Sequence, residues 1–110
     1  MLLAACEGPD ELSVKDAPGQ TLDVVNEHVP DDASFVIQDV SPVVGVAASF
    51  DESNTDEWTL LAACADAQVI DQAATIEVSV VPSSRVTNEV RSKIEAREFG
   101  ETVGDCTAPD

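Results

Sequence analysis

The chain has 110 residues, 44% of them hydrophobic, and a formal net charge of −17. This length fits one domain with tails, and the apolar fraction excludes a wholly disordered chain. The negative charge argues against DNA, RNA or anionic lipid as a ligand of the folded domain, because binding phosphate needs Lys and Arg. Residues 83–99 are the exception, since they hold four of the five basic residues against three acidic ones.

The stretch "LAAC" at residues 3–6 resembles the lipobox of bacterial lipoproteins. In that pattern a signal peptidase with a narrow pocket cleaves after small residues, and the cysteine that follows receives the lipid. The resemblance implies that residues 1–6 are the end of a signal peptide and that Cys6 is lipidated. It also implies an extracytoplasmic protein anchored to the bacterial cell membrane. The charged part and most of the apolar part of a signal peptide are missing, and the alternative is an ordinary N-terminus of this composition.

The next segment, "EGPDELSVKDAPGQ" at residues 7–20, combines prolines and glycines with charged and small residues. It has no apolar periodicity, so the sequence predicts a flexible tether that holds a domain off the membrane. A disordered tail without a role has the same composition. The single globular domain is predicted over residues 21–110.

Helical spacing indicates one helix before the strands and one after them. Leu22, Val25 and Val29 predict a short helix over 21–29, which Pro30 ends. A second helix is predicted over 85–98, with an apolar stripe on one side and i,i+4 pairs of opposite charge on the others. Gly100 is the expected C-cap of this helix.

Three segments predict strands by their β-forming or alternating residues: 34–40, 58–65 and 74–81. Residues 43–50 are expected to resume the first strand after a bend at Pro42. In the second strand, simple alternation places Trp58, Leu60, Ala62 and Cys64 on one face. Because the strands follow one another, the predicted fold is α+β: a three- to four-stranded antiparallel sheet with two helices packed on one face.

The order from Thr21 to Val81 resembles a PASTA-like domain, a small extracytoplasmic module with one helix on a three-stranded sheet. The segments that carry the resemblance are "TLDVV", "SFVIQDVS", "EWTLLAAC" and "ATIEVSVV". Trp58 and Cys64 also stand where actinobacterial lipoproteins often have a tryptophan and a cysteine. The family's "VPDVVG" opening and "PxxG" turn are absent, and helix 85–98 is an addition. The resemblance implies a link to cell-wall peptidoglycan but transfers no binding-site residue.

The cysteines suit an oxidising compartment. If Cys6 carries lipid, Cys64 and Cys106 remain, and this pair predicts a disulfide. Two reduced thiols are the alternative. No CxxC motif occurs and the only histidine is distant in sequence, so no metal site is predicted.

Two further stretches suggest chemistry. "DESNTDE" at residues 51–57 offers oxygen ligands for calcium but lacks the glycine and the final glutamate of an EF-hand, which favours a solvated turn. A catalytic triad through His28 would need a nucleophile and a carboxylate that orients the ring, and no serine lies in a GxSxG motif. The sequence therefore predicts no enzyme, no cofactor and no catalytic residue.

These patterns predict a non-enzymatic binding or accessory module at the cell envelope. The expected partners are cell-wall material or an envelope protein, with the membrane contacted only through the lipid anchor and no nucleic acid bound. The alternatives are a small secreted inhibitor and, less favoured, a hydrolase. The basic face of helix 85–98 suits an acidic partner, although pairing within the helix and solubility explain it as well.

Overall fold

In the part of the chain that the structure describes, two helices and three strands form an α+β fold, as the sequence predicts. The computed structural model describes residues 11–103, apart from the side chains of Glu52 and Glu101. Short 3-10 turns fill the connections. The elements, in chain order, are α1 (Leu22–Asn26), β1 (Ser34–Asp39), β2 (Trp58–Ala65), β3 (Thr75–Pro82) and α2 (Asn88–Glu95).

The described sheet is mixed, with the strand order β1-β3-β2. β2 and β3 pair antiparallel, whereas β1 and β3 pair parallel. The prediction of a fully antiparallel sheet is therefore wrong for the pairing of β1 with β3. The long connection at residues 40–57 carries the chain from one edge of the sheet to the other, and β3 later enters between the two edges. Within this connection the expected strand at 43–50 is a 3-10 turn (Ser41–Val44) followed by a loop.

A β-bulge in β2 changes which side chains share a face. The register shifts between Leu60 and Ala62, so that Ala63 pairs with Val78 and Cys64 pairs with Glu77. Side chains alternate strictly in a strand, and one extra residue turns all the following ones over. Cys64 therefore lies on the face opposite Leu60, and the prediction that placed both on one face is wrong.

Each face of the sheet has its own helix. On the front face, Leu22 and Val25 of α1 pack with Leu60, Val78 and Val80. On the back face, Ile94 of α2 packs with Leu61 and Val81. Val80 and Val81 are neighbours in β3 and so point to opposite faces. The prediction of two helices on one face is wrong, because the back face also carries large apolar side chains that need a cover.

Residues 11–20 pack on the front of the domain. Ala17 is fully buried, and Leu12 and Val14 lie against the front core. The backbone of this segment also pairs with its neighbours, since Ile70 N donates to Leu12 O (2.8 Å) and Gly19 N donates to Leu60 O (2.8 Å). The flexible tether predicted over 7–20 is wrong for 11–20, because backbone pairing fixes a segment that has no apolar periodicity. Residues 7–10 lie outside the described part.

Both helices are shorter than the sequence predicts. α1 ends at Asn26, before the chain reaches Val29. α2 begins after Thr87, whose side-chain oxygen accepts from Val90 N at 3.2 Å. It ends in a Schellman motif, in which Arg97 takes a left-handed φ of 63° and Glu98 N donates to Lys93 O. Gly100 is therefore not the C-cap.

Candidate functional site

A groove of about 440 Å³ lies beside α2, against the turn at Ser41–Val44. We call it the α2 groove. Most of its described lining is apolar or basic. The residues that line it are Val43, Val44, Ser84, Arg85, Thr87, Glu89, Val90, Lys93 and Phe99.

One wall of the α2 groove is fixed by the carboxylate of Asp39, at the end of β1. This group accepts hydrogen bonds from Ser41 N (2.9 Å), Ser49 N (2.7 Å) and Phe50 N (2.8 Å), and also from the Ser41 hydroxyl. Burial raises the pKa of Asp39, but these hydrogen bonds outweigh it and hold the pKa below its ordinary value. The side chain of Asp39 therefore fixes both ends of the loop 41–50, which includes this wall of the groove.

The opposite wall is α2, which the buried Ile94 holds against the back face of the sheet. Val44, Val90 and Phe99 are partly buried against the same cluster. Val43 keeps 49% of its surface exposed, which makes it one of two large exposed hydrophobic residues in the described chain, with Val36. The groove thus combines an apolar floor with an exposed apolar edge.

The charged side chains at the rim, Arg85, Glu89 and Lys93, are exposed. Lys93 approaches Glu89 at 3.8 Å, but both groups are exposed, and a pair of this kind adds little stability. Arg85 is exposed and forms no ion pair with any side chain that the structure describes.

An acidic cleft of about 470 Å³ adjoins the α2 groove, and Ser84 lines both. Trp58 closes its floor, 5% exposed, and meets Phe50 edge-on with ring centroids 5.1 Å apart. The cleft is lined by Ser49, Asp51, Asn54, Asp56, Glu57, Trp58, Pro82, Ser83 and Ser84. A groove lined by two basic residues and a cleft lined by three acidic residues therefore lie next to each other.

The carboxylate of Asp51 caps its own turn. It accepts from Ser53 N at 2.9 Å and from the Ser53 hydroxyl at 2.8 Å. These two hydrogen bonds lower the pKa of Asp51. Among the described side chains, which do not include those of Glu52 and Glu101, no three His, Cys, Asp or Glu groups come together in a way that suits a metal ion.

His28 has a carboxylate partner that sequence reasoning missed. Its Nδ1 lies 2.8 Å from Asp71 Oδ2, and Asp71 Oδ1 accepts from Leu12 N at 2.8 Å. Burial raises the pKa of Asp71, but the hydrogen bonds from Leu12 and His28 and the charge of His28 together lower it. No described hydroxyl or thiol hydrogen-bonds the imidazole ring. The pair therefore ties three segments of the front face together and lacks a nucleophile.

Of the three predicted cysteine sites, only Cys64 lies in the described part of the chain. It is half-buried on the back face. Cys6 and Cys106 lie outside residues 11–103, so the lipidation and the Cys64–Cys106 pairing stay predictions. The described chain reaches the back face near Cys64, because Thr102 Oγ1 lies 2.6 Å from Ser79 Oγ.

Comparison with known proteins adds no relative: no protein-family model, curated protein or solved structure matches the chain. Within residues 11–103, the helices are too short and too polar to cross a membrane.

Proposed function

We propose that the protein is a membrane-tethered, extracytoplasmic lipoprotein whose domain is a non-enzymatic binding or accessory module at the cell envelope. The observation that carries the binding role is the α2 groove, where apolar and basic side chains line one depression on a strongly acidic chain. Apolar patches on small soluble domains mark contact sites for partners. The ligand classes that fit this role are cell-wall material and an envelope protein.

The walls of the groove favour a site that exists before its ligand arrives. Asp39 holds one wall by four hydrogen bonds, and the buried Ile94 holds the other. A preformed site loses less conformational entropy on binding than one that orders with its ligand.

Among the described residues, the His28–Asp71 pair is the feature that favours the alternative of a hydrolase. A catalytic triad needs a nucleophile within hydrogen-bond reach of the ring, and none of the described residues takes that place. Both Asp71 oxygens are used, one by His28 and one by the backbone of Leu12. We therefore assign the pair a structural role and favour binding over hydrolysis.

A lipid on Cys6 would hold this domain close to the bilayer. Only residues 7–11 separate Cys6 from Leu12, which packs on the front core. Six backbone steps span about 20 Å when fully extended. The partner is therefore expected at or near the membrane surface.

The proposal is tested with the full-length lipidated protein in two assays, capture of partners from envelope extract and co-sedimentation with purified peptidoglycan. We expect retention of wall material or of a defined envelope protein, and loss of that retention in Val43→Asp. Val36→Asp is the matched control, because Val36 is as exposed (46%) as Val43 (49%) but does not line the groove. Retention of nothing above background, or equal retention by both variants, contradicts the proposal.

A further inference from the structure

The α2 groove differs in charge from the rest of the molecule. Residues 83–99 carry four basic and three acidic residues, a charge of +1, whereas the remainder of the chain carries −18. An acidic ligand is repelled by the body and attracted only to this segment, because like charges in apposition are unfavourable. The distribution therefore selects for negative groups at the groove and against them elsewhere.

Two cations face the groove without strong partners of their own. Arg85 forms no ion pair within the described residues, and Lys93 has only the exposed contact to Glu89 at 3.8 Å. A guanidinium group binds a carboxylate through two parallel hydrogen bonds, and the ammonium group of Lys93 adds a second charge. Little existing stabilisation has to be given up when a ligand carboxylate binds them.

The apolar residues of the groove favour an acidic peptide over an inorganic anion. Val43, Val44, Val90 and Phe99 line it together with the two cations. A free inorganic anion would leave these side chains exposed, whereas a peptide with an apolar residue next to an acidic one covers both. Nucleic acid is disfavoured, because its evenly spaced phosphates would extend onto the acidic body.

The neighbouring acidic cleft determines which part of such a peptide can carry the negative charges. The cleft meets the groove at Ser84 and carries Asp51, Asp56 and Glu57. The acidic residues of the ligand therefore lie at the α2 end. The part that crosses Ser84 is neutral or basic.

We propose that the α2 groove binds an acidic peptide segment of a partner protein, with an apolar side chain on Val44, Val90 and Phe99 and a carboxylate on Arg85. This assignment rests on the proposed binding function and names the class of its partner.

The test uses the full-length protein and a short acetylated peptide of alternating Glu and Leu. A Glu–Ser peptide tests the need for an apolar residue, and a Lys–Leu peptide tests the need for an acidic one. Affinity is measured by calorimetry, and amide NMR shifts locate the site. We expect the Glu–Leu peptide to bind and to shift the signals of Val43, Val90 and Lys93, with the other two peptides at least about tenfold weaker. Arg85→Glu should weaken binding about tenfold, whereas Arg91→Glu, the same charge change on an exposed α2 residue outside the groove, should change it far less.

Two outcomes overturn the assignment: equal weakening by Arg85→Glu and Arg91→Glu, or equal binding of the Glu–Leu and Lys–Leu peptides. The envelope capture assay separates this result from failure of the proposed function. If wild type and Arg85→Glu retain the same envelope component, the binding function stands and the acidic-peptide assignment is wrong. If wild type retains nothing, the binding function itself fails.

Discussion

His28 and Asp71 stand 43 residues apart in the sequence, yet the imidazole Nδ1 lies 2.8 Å from the carboxylate Oδ2. The second oxygen of Asp71 accepts from the backbone of Leu12 at 2.8 Å. One carboxylate thus connects the segment after α1, the loop between β2 and β3, and the segment that leads to the proposed lipid anchor. Its loss should loosen the front of the domain and leave the α2 groove intact.

Replacing Asp71 with Ala should lower the free energy of unfolding by about 1–2 kcal/mol, because two hydrogen bonds to a partly buried carboxylate are lost. His28→Ala should cost less, since the Leu12 contact remains. Urea unfolding of both variants checks this. Hydrogen exchange at Leu12 supplies the local readout, because only Asp71→Ala should accelerate it. Equal acceleration by the two variants would contradict the shared-carboxylate account.

The stability of the domain should rise with pH through the acidic range. The folded-state pKa values of Asp39 and Asp71 lie below the ordinary value of 3.8. The unfolded state therefore binds more protons, and the contribution of each carboxylate is fully present above its unfolded pKa. It is lost as pH falls through the folded pKa. Urea midpoints measured from neutral pH to about pH 2 should fall, and the fall should be smaller in Asp39→Ala. If the urea midpoint of Asp39→Ala depended on pH as steeply as that of the wild type, the contribution assigned to Asp39 would be contradicted.

The strands are the part of the fold that the sequence predicts best, because the patterns that indicate a strand lie within a single segment. "WTLLAACA" gave β2 its observed bounds, because a turn precedes this apolar run and a polar connection follows it. β3 was correct to within a residue, since Ile76, Val78 and Val80 alternate with polar neighbours. Both patterns depend only on side chains within one strand.

The errors concern contacts that no local pattern records. The parallel pairing of β1 depends on where β3 enters the sheet, and the bulge after Leu60 leaves no mark on composition. The composition of residues 11–20 predicts a flexible segment, yet Ala17 is fully buried. The carboxylates of Asp39 and Asp71 act on backbone groups far along the chain, and a chain with 22 acidic residues offers no means to single them out.

Asp39→Ala should destabilise the domain by about 2 kcal/mol, because it leaves three backbone N–H groups of the groove wall without their acceptor. Asp39→Asn should cost less, since one amide oxygen still accepts. Asp51→Ala is the control, because Asp51 caps only its own exposed turn. Thermal unfolding by circular dichroism measures all three. A midpoint for Asp39→Ala no lower than that of Asp51→Ala would contradict the role of Asp39.

Protein from an oxidising compartment should contain the Cys64–Cys106 disulfide. The back-face position of Cys64 and the Ser79–Thr102 contact support this pairing. Removing the bridge should lower the melting temperature clearly, with an upper estimate of about 4 kcal/mol from loop entropy. Intact mass with and without reductant decides the point. A mass with both thiols free would disprove the bridge.

Cys6→Ser should release the protein from the membrane fraction and abolish labelling by a fatty-acid probe. Stable anchoring comes from the acyl chains at about 0.8 kcal/mol per buried CH₂, whereas the acidic body contributes no attraction. Cys106→Ser is the matched control and should keep both label and fractionation. Membrane association of Cys6→Ser equal to that of wild type would contradict the lipid anchor.

The claim that the α2 groove is the binding site is tested most directly by site-specific photocrosslinking in cells. A photoreactive amino acid is placed at Val43 in one strain and at Val36 in another, since the two side chains are 49% and 46% exposed and only Val43 lines the groove. We predict a discrete crosslinked envelope species from position 43 and none from position 36. The same species from both positions, or a crosslink from position 36 alone, would contradict the account.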